Sequence, residues 1–316
     1  MSKKRSLMIV AAAVITIIMI SFISISIGHG KPKMVVVLKS LDRQYWNIVK
    51  AGAEKAFKEH GIDGEVIATP SGTAKEQRKI LKKVYKEHPD VLIIAPYDTS
   101  VIPILDQFTQ EKNIPVILID QYEKWPNKTS YVGADSREIG KKVGELLGSE
   151  LQPGNKAALI GGDLSVLANQ EIMDGAKQTL KEAGIIVVPE IAGITDDEKT
   201  VRKATLQLLK EHPDINGVIA TNDLFAISVI KVLREHNLTI PVIGTDGIPD
   251  LLNLIKNEMI SASVAQNPYD MGHLSVDTAV KVLKGEQVDP FVDSGVDIVI
   301  KENLQQRLDY HSLLVR

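Results

Sequence analysis

The sequence predicts an α/β protein of two doubly wound lobes, each a parallel sheet flanked by helices, and three observations predict it. Short runs rich in Val and Ile are continuously apolar instead of alternating, which means burial on both faces of a sheet. Stretches of helical patterning follow these runs in strict alternation. Halfway along the chain the whole pattern restarts, as a duplicated unit would.

The first series opens with "MVVVL" (34–38), followed by a helical stretch over Tyr45–His60. "EVIA" (65–68) precedes a helix over Ala74–Glu87, "VLIIA" (91–95) one over Ile102–Lys112, and "VILI" (116–119) closes the series. In the second, "AALIG" (157–161) leads to a helix near Val166–Ala183 and "IIVV" (185–188) to Asp197–Glu211. "GVIA" (217–220) then precedes Asp223–His236, and "VIGT" (242–245) a short helix from Pro249. Each run is too short for a buried helix and is bounded by turn residues.

Two echoes link the series. "EHPDVLIIAPYD" (87–98) resembles "EHPDINGVIATND" (211–223), and "NIPVILIDQ" (113–121) resembles "TIPVIGTDG" (239–247). Asp120 and Asp246 therefore stand at equivalent places, just past a strand. Ligands of doubly wound sheets sit beyond the carboxyl ends of the strands, so lobes placed face to face bring both carboxylates to one cleft. An Asp after a strand can also be a helix N-cap, the role expected of Asp223.

The amino terminus is of another kind. Lys3, Lys4 and Arg5 precede an uncharged run from Leu7 to Ile27, which as a helix would span roughly 30 Å, the hydrocarbon thickness of a bilayer. Residues 1–30 read as a signal peptide or membrane anchor. The run is longer than a typical signal-peptide core, which favours an uncleaved anchor. The positive-inside rule leaves the bulk of the chain extracytoplasmic, on the cell surface or in the periplasm. The remaining ~285 residues exceed one ordinary domain.

Composition excludes several chemistries. The chain has no cysteine, hence no disulfide, thiolate metal site, thiol nucleophile or lipidated cysteine. A net charge of −3 gives no basic footprint for nucleic acid. "GADSREIGK" (133–141) has the wrong glycine spacing for a phosphate loop, and no G-x-S-x-G elbow occurs. The seven histidines lack metal-ligand spacing, and His60, His88, His212 and His236 fall at predicted helix ends, where a partial positive charge is favoured. Neither a cofactor nor a metal is expected, and an enzyme is the weakest reading.

Near strand ends remain Lys39, Arg43, Tyr45, Trp46, Tyr97, Asp98, Asp120, Gln121, Asn222, Asp223, Asp246 and Gln266. Carboxylates and amides each hold two vicinal hydroxyls in a planar fork, and an aromatic face packs on the C–H face of a ring. That inventory suits a sugar or polyol.

In this order, "VVVLKSLDRQYWNIVKAGAEKA", "NIPVILIDQ", "GADSREIG", "IATNDLFA", "VIGTDGIPD" and "SASVAQNPYDMG" resemble the ribose/galactose/xylose type of periplasmic sugar-binding protein, over residues 34 to about 301. The resemblance implies two Rossmann-like lobes joined by three hinge strands, with crossings near Gly133–Ser136, Ala265–Pro268 and Val292–Val296. The lobes would then comprise 34–134 plus 267–292, and 135–266 plus 293–316. It makes Tyr45 and Trp46 stacking aromatics, and Asp120, Asn222, Asp246 and Gln266 hydroxyl partners. Ribose binders carry arginines where this chain has Gln121 and Gln170, and small or neutral residues at Lys39 and Arg43. Another pentose, a hexose or a ligand with an acidic group is therefore expected.

Three roles share this core. One is a binding protein that delivers a monosaccharide to an ABC-type importer through a membrane permease, the reading preferred. Another is a membrane-anchored sensor presenting its ligand state to a histidine kinase or chemoreceptor. A LacI-type repressor would need a DNA-binding headpiece where the apolar segment stands.

Overall fold

The computed structural model describes residues 31–314. The expected leader or anchor, residues 1–30, lies outside the described residues. Among the latter no helix is long and apolar enough to cross a membrane.

The first series builds β1 (Lys33–Leu38), α1 (Gln44–His60), β2 (Asp63–Ala68), α2 (Ala74–Glu87), β3 (Val91–Ile94), α3 (Ile102–Asp106), β4 (Val116–Ile119) and β5 (Ser130–Gly133). The second runs α4 (Ser136–Glu150), β6 (Lys156–Ile160), α5 (Leu167–Glu182), β7 (Ile186–Val187), α6 (Glu198–Glu211), β8 (Gly217–Ala220), α7 (Asp223–Glu235), β9 (Val242–Ile243) and α8 (Pro249–Lys256). The chain ends with β10 (Ala262–Gln266), α9 (Pro268–Leu283), β11 (Phe291–Asp293), β12 (Val296–Ile300) and α10 (Leu304–Leu314).

The strands form a six-stranded parallel sheet, β11-β5-β4-β3-β1-β2, and a four-stranded parallel sheet, β7-β6-β8-β9. A bridge from Gly244 to Ser263 sets β10 beside the second sheet. Counted within its own series, the first sheet runs 2-1-3-4-5 and the second 2-1-3-4, so the echo in the sequence is a repeat of topology. The order reverses between β1 and β3 and between β6 and β8, the switch points at which doubly wound sheets bind ligands. Full burial of Val91–Ile94, Val116–Ile119 and Gly217–Ala220 accounts for their unbroken apolar runs.

The chain passes between the two α/β units three times: from β5 into α4, from β10 into α9, and from β11 into β12. β10 and β12 pair antiparallel, Ala262 opposite Ile300 and Gln266 opposite Val296, forming a two-stranded strap. The short strands β5, β11 and β12 were not separately predicted, because runs of three to five residues carry little periodic signal.

Both units use one device to seat a crossing pair of helices. A Cβ on Gly52 of α1 would overlap the Tyr269 carbonyl of α9, and one on Gly272 the Val49 carbonyl of α1. Gly140 of α4 and Gly175 of α5 stand likewise against the carbonyls of Ile172 and Arg137. In each pair only glycine lets the backbones approach this closely. His88, His212 and His236 are C-cap residues, and His60 ends α1.

Candidate ligand-binding cavity

Loops from the carboxyl ends of both parallel sheets enclose a cavity of about 930 Å³. It is lined from one side by residues following β1, β3 and β4, and from the other by residues following β6, β8 and β9, with Gln266 at the strap.

The turn after β4 positions Asp120. Its backbone is left-handed, φ 63°, a conformation that Asp tolerates better than most side chains. The turn is tied down by the Asp120 N–H donating to Val132 O (3.1 Å) and the Tyr131 hydroxyl donating to Asp120 O (3.0 Å). No helix follows, so Asp120 is no cap. Its Oδ2 pairs with Lys39 Nζ at 3.2 Å and its Oδ1 accepts from the Tyr45 hydroxyl at 3.0 Å. Burial, with Asp120 and Asp246 nearby, raises the Tyr45 phenol well above its ordinary range, which keeps it a neutral donor.

Lys39 is committed twice, since Nζ also donates to Gln121 Oε1 at 2.9 Å, and it lies 5.5 Å from the Trp46 ring centroid. Gln121 Nε2 in turn donates to the buried Glu123 at 2.6 Å. Trp46 packs edge-on against Tyr45, centroids 5.1 Å apart, and both are buried in the core while lining the cavity.

In the second unit the cap assignment differs from expectation. Asn222 is the N-cap of α7, its Oδ1 accepting from Phe225 N at 3.0 Å. Asp223 is instead wholly buried, its carboxylate accepting from the N–H groups of Asp246 (3.1 Å) and Ile248 (2.8 Å). "TND" offers two residues of capping type, and the end of β8 selects the first. Burial pushes Asp223 up to about 6, opposed by the backbone N–H groups it accepts from. Asp246 accepts from Gln266 Nε2 (3.1 Å) and from the Asp223 N–H (3.3 Å). Burial first, and the Asp223 carboxylate second, raise Asp246 well above the ordinary carboxylate range.

The strap joins the halves. Gln266 Oε1 stands 3.3 Å from the Tyr45 hydroxyl, whose single proton it shares with Asp120, while its amide holds Asp246, so one side chain links the two equivalent aspartates through Tyr45. Behind it, Arg307 of α10 donates to the Gln266 carbonyl and, at 2.7 Å each, to Asn267 Oδ1 and Asp297 Oδ2.

Lys39, Arg43, Tyr45, Trp46, Asp120, Gln121, Asn222, Asp246 and Gln266 all line the cavity. Gln170 does not: it is exposed on α5, and its neighbour Asn169 faces the cavity instead. One residue turns a helix by 100°, and the phase is set upstream, where Asn169 Nδ2 donates to Asp163 O at 3.0 Å. Sequence reasoning also missed Asp196 and Asp250, which sit opposite Arg43 and Gln44. Asp196 lies in a segment without a diagnostic pattern, and Asp250 closes the quoted "VIGTDGIPD" without standing at a strand end.

A family model described as "Periplasmic binding protein domain" matches residues 34–287. The ribose import binding protein RbsB of Haemophilus influenzae is 25% identical over 274 residues, 87% of this chain and 93% of the relative. The crystal structure of GanP, a glucose-galactose binding protein from Geobacillus stearothermophilus, superposes with a TM-score of 0.81 at 28% identity, covering 87% of this chain and 99% of that one. An ABC transporter solute binding protein from Burkholderia graminis, solved in complex with D-arabinose, gives a TM-score of 0.81 at 25% identity, over 88% and 98% of the two chains.

Proposed function

The chain belongs to the periplasmic binding protein family, and from that premise we propose that it closes around a monosaccharide outside the cytoplasm and delivers it to an ABC-type sugar importer. One observation carries the reading. Asp120 and Asp246, at equivalent strand ends of two repeated sheets, face a single cavity of about 930 Å³. Tyr45, Asn222 and Gln266 supply neutral hydrogen-bonding groups around them, and Trp46 an aromatic wall. Forked acceptors on two sides and an aromatic wall match the hydroxyl edge and the C–H face of a pyranose or furanose ring. The relatives named for ribose import and for glucose and galactose binding support this ligand class.

The lobes of this reading are 34–134 plus 267–292, and 135–266 plus 293–316, hinged at the three crossings. The packing of α9 on α1 and the pairing of β12 with β10 support that division. Closure about the hinge would withdraw the ligand from water and strengthen every hydrogen bond to it. The uncharged run Leu7–Ile27 supports a membrane tether. Mass spectrometry of the native protein should find residues 1–30 retained, and a mature start between Ile27 and Lys31 would refute the tether.

Titration calorimetry against D-ribose, D-allose, D-arabinose, D-galactose and D-glucose tests the binding reading. We expect one-to-one saturable binding of at least one of them, and loss of uptake of that sugar when the gene is deleted. Absence of binding across the set and by its amino and acid derivatives would refute the function.

A further inference from the structure

We propose that the ligand bears an amine: the cavity is built for a sugar or polyol whose ammonium group seats against Asp246. This deepens the sugar-binding reading and rests on it.

The argument starts from the charges that line the cavity. Five are carboxylates, Asp42, Asp120, Asp196, Asp246 and Asp250, against two cations, Lys39 and Arg43. Both cations are already engaged, Lys39 by Asp120 and Arg43 by Asp196. In the described conformation neither is left free to receive an acidic ligand. Asp246 forms no ion pair among the described residues, and the wholly buried Asp223 stands directly behind it, itself held by backbone N–H groups alone. Asp246 in the second-unit wall and Asp223 behind it are therefore two carboxylates with no cation between them.

A buried charge without a counter-charge is costly wherever water is excluded from it. A neutral hydroxyl can donate to Asp246 and leaves its charge uncompensated. A ligand carboxylate would add a third negative group. An ammonium donates three hydrogen bonds and accepts none, and the Asp246 carboxylate is an acceptor with no cation on it. On the same side of the cavity, Thr221 lines it with its Oγ1 buried and without a hydrogen-bond partner among the described residues. At the opposite wall Lys39 repels an ammonium, so the ligand would lie in one direction, with its amine on Asp246 and its hydroxyls on Asp120 and Gln121.

The test is titration calorimetry at pH 7.5 with two matched trios: D-galactose, D-galactosamine and D-galacturonate, and D-glucose, D-glucosamine and D-glucuronate. In at least one trio the amine should bind tenfold or more tightly than its neutral parent, with the acid weakest. Asp246→Asn, with an unimpaired melting curve, should bring amine and neutral parent within twofold of each other. Neutral sugars binding as tightly as their amines, or an amine preference that survives Asp246→Asn, would overturn the inference and leave the sugar-binding reading intact. If no sugar binds, in these trios or among the neutral sugars named above, both fall.

Discussion

Arg43 and Asp196 clasp each other across the mouth of the cavity in a two-pronged pair, the Nη2–Oδ1 arm 3.0 Å long. Arg43 immediately precedes α1 of the first unit, and Asp196 follows β7 of the second. A second tie lies alongside it, Gln44 Nε2 donating to Asp250 Oδ1 at 3.1 Å. In the described conformation the two units are thus held together by their own side chains.

That clasp is half exposed on the arginine side, so its contribution is that of a screened pair, about 0.5–1 kcal/mol. Arg43→Ala should release bound sugar roughly three to five times faster. It should also enlarge the radius of gyration of the ligand-free protein, and ~0.5 M salt should do the same to the wild type. Stopped-flow release and small-angle scattering check this. Unchanged release and unchanged dimensions would show that the clasp does not hold the closed form.

The Asp223–Asp246 pair sets a pH dependence of stability. Asp223 is raised to about 6 in the folded protein from an unfolded value near 3.9, and Asp246 is raised as well. Between those values the folded state binds more protons than the unfolded one, so stability falls as pH rises through the window and the penalty is complete above it. The melting temperature of the ligand-free protein should therefore rise by about 2–6 °C from pH 7.5 to 5. Asp246→Asn should flatten that slope and match or exceed the wild type at pH 7.5. Asp197, held down at about 2 by Thr195 and Thr200, acts in the opposite sense only at lower pH. Calorimetric melts across this range decide the matter, and a slope of opposite sign would contradict the buried pair.

The glycine contacts between crossing helices give a prediction about the fold. Gly52→Ala places a methyl on the Tyr269 carbonyl, where backbone must shift, and should cost about 2–3 kcal/mol or more. Ala at a solvent-facing helical glycine normally stabilises, so the sign alone is informative. Urea unfolding measures it, and a neutral or stabilising result would mean that α1 and α9 do not approach as described.

Much of this was legible in the residues. The continuous apolar runs gave the buried parallel strands, and the repeated "IPV" segments placed Asp120 and Asp246 at equivalent strand ends. The cavity then brings together nearly every residue singled out from the sequence. What could not be read depends on phase or on distant pairing. Asn169 replaces Gln170 because a one-residue difference in helix phase leaves no trace in composition. Asp196 meets Arg43 across 153 positions, and no local pattern encodes that. Asp223 looked like a cap because Asn and Asp cap equally well, and only the end of β8 decides between them.

The most direct measurement is a crystal structure of the protein with a sugar identified by calorimetry. The account predicts the ring inside the cavity between the two sheets, with hydroxyl or amine groups within ~2.6–3.2 Å of Asp120 and Asp246 and Trp46 against a ring face. A sugar bound elsewhere on the surface, or in the cavity without contact to either aspartate, would contradict it.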